Sequence, residues 1–74
     1  MTDNQVSKQI EKAKMYVRQR FTALKLTTVK GWEVATDNKN MFWVYFYTQD
    51  YAIESFLFRF ADDYKSEPVF LGKW

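Results

Sequence analysis

Neither histidine nor cysteine occurs in the 74 residues, so any chemistry would depend on carboxylates, lysines, tyrosines and hydroxyls. Two pairs of acids have the spacing of an acid–base pair, Asp62 with Asp63 and Glu33 with Asp37. Acids beside a turn are usually solvated rather than functional. The chain has only two glycines, far apart, so it cannot form a glycine-rich phosphate loop. We therefore expect a protein that is not an enzyme and that holds no metal or other cofactor.

The residues most capable of binding a partner lie in the segment 41–48, MFWVYFYT, in which five of eight residues are aromatic. Side chains of a strand alternate between two faces. One face would carry Phe42, Val44 and Phe46, and the other Met41, Trp43, Tyr45 and Tyr47. The first set is purely apolar and is predicted to be core. The second set consists of Met and of rings that carry polar atoms, which are enriched at protein interfaces.

Three interpretations of this second set remain open. A second helix or the C-terminal tail covers it, another protein or a second copy of the chain binds it, or nucleic-acid bases stack on it. We take protein binding as the leading hypothesis. The predicted partner-binding residues are Trp43, Tyr45 and Tyr47, with Trp32 and Phe58 as second choices.

Nucleic-acid binding is the alternative function, because positive charge is concentrated in the first part of the chain. Residues 1–30 contain seven Lys or Arg and two acids, whereas residues 31–74 contain four and seven. The residues predicted to contact phosphates are Lys8, Lys12, Lys14 and Arg18. On a helix these charges divide between two flanks, which weakens the hypothesis. The segment 39–46 also resembles half of the RNA-recognition consensus, although Asn40 stands where that consensus has glycine.

The first predicted element is a long amphipathic helix over residues 3–25. Thr2 and Gln5 have the spacing of a capping box, and apolar residues recur from Val6 to Leu24 at helical intervals. Residues 28–36 and 41–48 are predicted to form an antiparallel hairpin, and Gly31 indicates a bend or a bulge beside Trp32.

The segment 50–64, DYAIESFLFRFADDY, is compatible with two structures. A helix places Ile53, Phe56, Leu57, Phe60 and Tyr64 on one stripe, whereas a strand places Phe56, Phe58 and Phe60 on one face. We predict the helix, followed by an edge strand at 69–71. The expected fold is α+β with the order α-β-β-α-β, in which two helices pack on one face of a small antiparallel sheet and residues 1–74 form one domain.

Size and composition set the remaining expectations. A domain of 74 residues without disulfides requires dense packing or association, and its fifteen aromatic residues can supply both. No apolar run approaches the length of a membrane-spanning helix. We expect a soluble, cytoplasmic protein that does not bind membranes. It would bind another protein or itself, as an inhibitor or regulator of the kind common among accessory proteins of phages and mobile elements.

Overall fold

The computed structural model describes residues 2–74, which contain one α-helix and four strands. The helix α1 covers Asp3–Arg20 and a 3-10 turn covers Thr22–Leu24. The strands are β1 (Leu26–Val34), β2 (Met41–Thr48), β3 (Ile53–Arg59) and β4 (Val69–Lys73). They form one sheet in the order β1-β2-β3-β4, and every neighbouring pair is antiparallel. The predicted α+β class is confirmed, with α1 packed on one face of the sheet.

The predicted start of α1 is confirmed, whereas its predicted end is several residues too late. The Thr2 hydroxyl accepts a hydrogen bond from the Gln5 N–H, and the Gln5 side chain accepts one from the Thr2 N–H, which completes the capping box. The helix ends at Arg20, because Phe21 leaves the helical region and turns its ring toward Phe56 and Phe70. This turn brings the chain back to the start of β1.

The predicted second helix is wrong, because residues Ile53–Arg59 form strand β3. They pair with β2 over its length, so that Phe56 lies opposite Val44 and Phe58 lies opposite Phe42. The strand and the residue that follows it place Phe56, Phe58 and Phe60 together against α1, where all three are buried. A helix would have turned Phe58 away from the core. The pairing with β2 and the burial of three adjacent rings therefore outweigh the helical propensity of Ala, Glu and Leu in this segment.

The core lies between α1 and one face of the sheet. Phe42, Val44 and Phe46 are fully buried, as predicted. They are joined by the three phenylalanines that follow from residue 56 to residue 60 and, from α1, by Ile10, Ala13 and Val17. The rings of Phe42 and Phe60 are 4.5 Å apart between centroids. Aromatic packing thus provides the stabilisation that disulfides or a structural metal usually provide in a small domain.

One polar side chain, Gln9, is completely buried between α1 and the loop that joins β3 to β4. Its Nε2 donates to the Ser66 carbonyl at 2.8 Å, and its Oε1 accepts from the Ala61 N–H at 2.9 Å. Within the loop, the Asp63 carboxylate accepts from the N–H groups of Ser66 and Lys65. These bonds, that of Ser66 first, hold the pKa of Asp63 well below its usual range. Gln9 therefore attaches an ordered loop to the helix.

Both edges of the sheet are irregular. The β1–β2 register shifts between Leu26 and Val29 and again between Val29 and Gly31, which confirms the predicted bulge. The β3–β4 register shifts once, beside Leu57. Bulges at edges interfere with the addition of further strands. Among the residues described, α1 is the single α-helix, and it is not apolar enough to cross a membrane.

Candidate binding face

The face of the sheet opposite α1 carries apolar side chains and is not covered by a helix from residues 2–74. We call it the open face. Its residues from the two central strands are Met41, Trp43, Tyr45 and Tyr47 of β2 and Ile53, Ser55, Leu57 and Arg59 of β3. Val69 extends it on β4, and Trp74 follows that strand. An antiparallel sheet with one solvated face normally places polar residues there, so this composition requires an explanation.

Three rings occupy the middle of the open face. The rings of Trp43 and Tyr45 are nearly parallel, with centroids 6.3 Å apart and planes 9° apart. Trp74 packs edge-on against Trp43 with centroids 5.2 Å apart. The Trp74 N–H donates to the Ser55 carbonyl at 2.9 Å, which holds the end of the chain across the sheet. Trp43 thus packs with a ring on each side, on the face of the sheet that α1 leaves uncovered.

Gly72 allows Trp74 to take this position. A Cβ atom at residue 72 would lie 2.9 Å from the Trp74 ring, closer than carbon atoms normally approach. The glycine therefore leaves the space beside β4 that the Trp74 ring occupies. Trp74 itself remains 65% exposed, so that it both covers part of the open face and enlarges it.

Two charged side chains, Glu33 and Lys30, lie where the open face borders β1. The Tyr45 hydroxyl donates to Oε1 of Glu33 at 2.5 Å. The Lys30 ammonium lies 5.7 Å from the centroid of the Tyr45 ring. Partial burial and the neighbouring Glu33 carboxylate, which accepts this bond, raise the pKa of Tyr45 to about 12. The Tyr45 phenol therefore stays protonated at neutral pH. Its side chain lies between the Lys30 ammonium and the Glu33 carboxylate.

The charges at the open face nearly cancel. Lys30 and Glu33 lie on the β1 side, and Arg59 lies on β3. Arg59 is 3.4 Å from the carboxylate of the exposed Asp62. A face with few charges of mixed sign is suited to an apolar protein surface and is poorly suited to a polyanion.

The structure separates the predicted partner-binding residues into three groups. Trp43, Tyr45 and Tyr47 lie side by side on the open face, and all three are half-buried. Trp32 lies opposite Val44 and therefore on the other face, where it is 44% exposed beside α1. Phe58 is fully buried in the core. Its selection as a surface residue was wrong, because it followed from the misassigned helix.

Sequence reasoning missed several residues of the open face. Ile53, Leu57 and Arg59 share one face in the strand interpretation of 50–64, so the signal was present in the alternative that was not preferred. Trp74 was not assigned to any element. Its only signal was Gly72, two residues earlier, at the position where its ring needs space.

The basic residues predicted to contact phosphates do not join the open face, because all four lie on α1 on the opposite side of the sheet. Lys12 donates to the Lys65 carbonyl, and Lys14 pairs with Glu11 at 3.1 Å. Arg18 donates to the Thr27 carbonyl at 3.1 Å, and its guanidinium lies 5.0 Å from the centroid of Phe46. Lys8 is exposed. Three of these four side chains therefore make contacts within the molecule.

Comparisons with models of protein families, with curated proteins and with solved structures gave no match to this chain.

Proposed function

We propose that the chain is a non-enzymatic protein-binding module that acts as a regulator or inhibitor by docking another protein surface on its open face. The observation that supports this most directly is that β2 is apolar on both faces while α1 covers only one of them. A surface that is both aromatic and uncovered is characteristic of interaction sites. Such a protein would act in the cytoplasm, where a chain without cysteines needs no oxidising environment.

The shape of the sheet favours docking on the face rather than at an edge. Bulges interrupt both β1 and β4, so that neither edge offers a long regular row of free N–H and C=O groups. The open face has no comparable obstacle. It also has rigid anchors, because the Trp43 ring already packs with the rings of Tyr45 and Trp74, so these side chains would lose little conformational entropy on binding.

The docked surface would be apolar and nearly uncharged at its centre. Trp43 and Leu57 lie opposite each other at the middle of the open face, where a partner residue would be fully desolvated. The polar atoms of Glu33 and Arg59 lie toward the two sides, where they remain hydrated. This arrangement of an apolar centre and a polar rim is typical of binding interfaces.

Site-specific photocrosslinking tests the proposal. A photoreactive phenylalanine analogue at Tyr47 places the probe on the open face, and the same analogue at Lys8 places it on the exposed side of α1. We expect a discrete crosslinked product from position 47 in cells, identified by mass spectrometry and lost when Trp43→Asp is added, and no such product from position 8. Equal products from both positions, or none from position 47, would contradict docking on the open face.

Binding of labelled single-stranded DNA and RNA, measured by fluorescence anisotropy at two salt concentrations, tests the alternative function. Because the basic side chains lie on α1 and the rings lie on the other face, we expect no tight, salt-sensitive binding. Binding that falls steeply with salt and is abolished by Trp43→Ala would instead favour a nucleic-acid partner.

A further inference from the structure

Two opposite charges flank the open face at the same end of the sheet. Glu33 lies on β1 opposite Trp43, and Arg59 lies on β3 opposite Met41. Trp43 and Met41 are successive residues of β2 on the open face. Glu33 and Arg59 are therefore separated by about 7 Å in the direction of the strands. They lie on opposite sides of β2. Lys30 accompanies Glu33 on the β1 side and Asp62 accompanies Arg59. The open face therefore offers a carboxylate on one side and a guanidinium on the other, within reach of long side chains along the strands.

Two copies of the sheet can pack face to face about a two-fold axis that is either parallel or perpendicular to the strands. The positions of Glu33 and Arg59 are complementary under only one of these axes. A two-fold axis parallel to the strands places the β1 side of one copy over the β3–β4 side of the other. The rotation does not change positions along the strands, so the same end of the sheet meets in both copies. Each Glu33 then faces Arg59 of the second copy, and the contact occurs twice. An axis perpendicular to the strands places β1 over β1 and brings the two Glu33 carboxylates toward each other, which is unfavourable.

The size of the open face is sufficient for a reversible dimer. Four strands about 4.8 Å apart and about 3.4 Å per residue over the length of β2 give a footprint of roughly 500 Å² per copy. Two copies would bury about 1,000 Å², which is at the lower limit of specific interfaces. The two apolar faces would pack about 10 Å apart as an aligned sandwich. A domain this small also has much to gain from a second core.

We infer that a second copy of the chain occupies the open face, in a two-fold homodimer in which Glu33 of each copy faces Arg59 of the other. This inference rests on the open face being the docking surface, as proposed above. The dimer covers the rings that would contact another protein, so a different partner must compete with self-association. The chain would bind that partner most readily at concentrations below its own dimer dissociation constant.

A pair of charge reversals tests the arrangement by sedimentation equilibrium. Glu33→Arg places two positive groups at each contact, and Arg59→Glu places two negative groups there. We expect the wild type to dimerise reversibly in the micromolar range and each variant alone to dimerise at least tenfold more weakly. An equimolar mixture of the two variants restores both contacts, and we expect it to dimerise about as strongly as the wild type.

Two matched control substitutions accompany the charge reversals, and a further substitution disrupts the apolar part of the interface. Asp37→Arg and Lys8→Glu change the net charge by the same amounts at exposed positions away from the open face, and they should dimerise like the wild type. Circular dichroism and thermal unfolding check that each variant is folded. If a reversal fails to fold, Ile53→Asp tests the same interface, because Ile53 is 47% exposed on the open face. We expect Ile53→Asp to be a folded monomer.

A wild type that is monomeric up to millimolar concentration overturns the dimer, as does a mixture of the two reversals that remains monomeric while the wild type dimerises. Hydroxyl-radical footprinting of the same samples separates this failure from that of the proposed function. A monomer in which Trp43 is readily modified overturns only the dimer, because the open face is still free for another protein. A monomer in which Trp43 is as protected as Phe42 overturns both proposals.

Discussion

The hydroxyl of Tyr45 and the carboxylate of Glu33 are joined by a hydrogen bond of 2.5 Å that connects the central strand β2 to the edge strand β1. The phenol donates this bond, so the bond exists only while Tyr45 is protonated. Burial of the phenol, its hydrogen bond to Glu33 and the negative charge of that carboxylate together raise the pKa of Tyr45 to about 12. The aromatic ring at the middle of the open face therefore has a pH dependence that can be measured.

Spectrophotometric titration should show one tyrosine that ionises about two pH units later than the ordinary value of about 10. Since the folded-state pKa is the higher one, this group's contribution to stability is complete below about pH 10. It is lost as the pH rises toward 12. Glu33→Gln should move the late transition part of the way back toward pH 10, because burial, the largest cause of the raised pKa, remains. An unchanged transition in that variant would show that Glu33 does not control the ionisation of Tyr45.

Phe58→Ala and Trp43→Ala should separate core from open face in the free energy of unfolding. Phe58 is fully buried against Phe42 and Phe70, so its truncation should cost about 3–5 kcal/mol. Trp43 is half-buried, and its truncation should cost clearly less, about 1–2 kcal/mol. Urea unfolding at a low concentration, where self-association is negligible, measures both. Equal costs would mean that Trp43 belongs to a second core.

Gly72→Ala should displace the Trp74 ring, because its new methyl group would meet that ring at 2.9 Å. We expect greater exposure of Trp43, seen as a red shift of the tryptophan emission. Gly31→Ala is the matched control, since its Cβ would have no other atom within 4 Å. Identical spectra for the two variants would contradict the packing of Trp74 over β4.

Gln9→Leu should destabilise the fold although it adds apolar volume at a buried site. The substitution leaves the Ala61 N–H and the Ser66 carbonyl without their partner. The Ala61 N–H is buried, and an unsatisfied buried group costs about 1–3 kcal/mol. Gln19→Leu, at an exposed position of the same helix, is the control and should be nearly neutral. Hydrogen exchange should show faster exchange of the Ala61 amide in Gln9→Leu only.

The local signals of the sequence were sufficient for α1, for the β1–β2 hairpin and for the core residues of β2. Each of these depends on a pattern within the element itself, such as the Thr2 capping box or the alternation of Phe42, Val44 and Phe46. They were insufficient for β3. Residues 50–64 satisfy a helical stripe and a strand alternation about equally, and the pairing with β2, which is not local, decides between them.

The side of the sheet on which Trp32 lies was also beyond local reasoning. A bulge adds one residue to a strand and so reverses the faces of all the residues that follow it. Gly31 indicated the bulge, but only the observed pairing of Val29 with Phe46 and of Trp32 with Val44 shows where the register shifts. The open face was predicted in its β2 part. Ile53 and Leu57 join it only in the strand alternative for 50–64 that was not preferred, and Trp74 lies beyond the predicted edge strand 69–71.

The buried amide of Gln9 also determines how far along its axis the helix sits. The apolar stripe of α1 repeats at nearly every turn, so sliding the helix by one turn would present Ile10 where Val6 lies and Val17 where Ala13 lies, at little hydrophobic cost. Only one position brings the amide to both Ala61 and Ser66. A single polar side chain thus selects one axial position of α1 from several that apolar contacts alone would permit. A lone asparagine selects the register of a coiled coil in the same way.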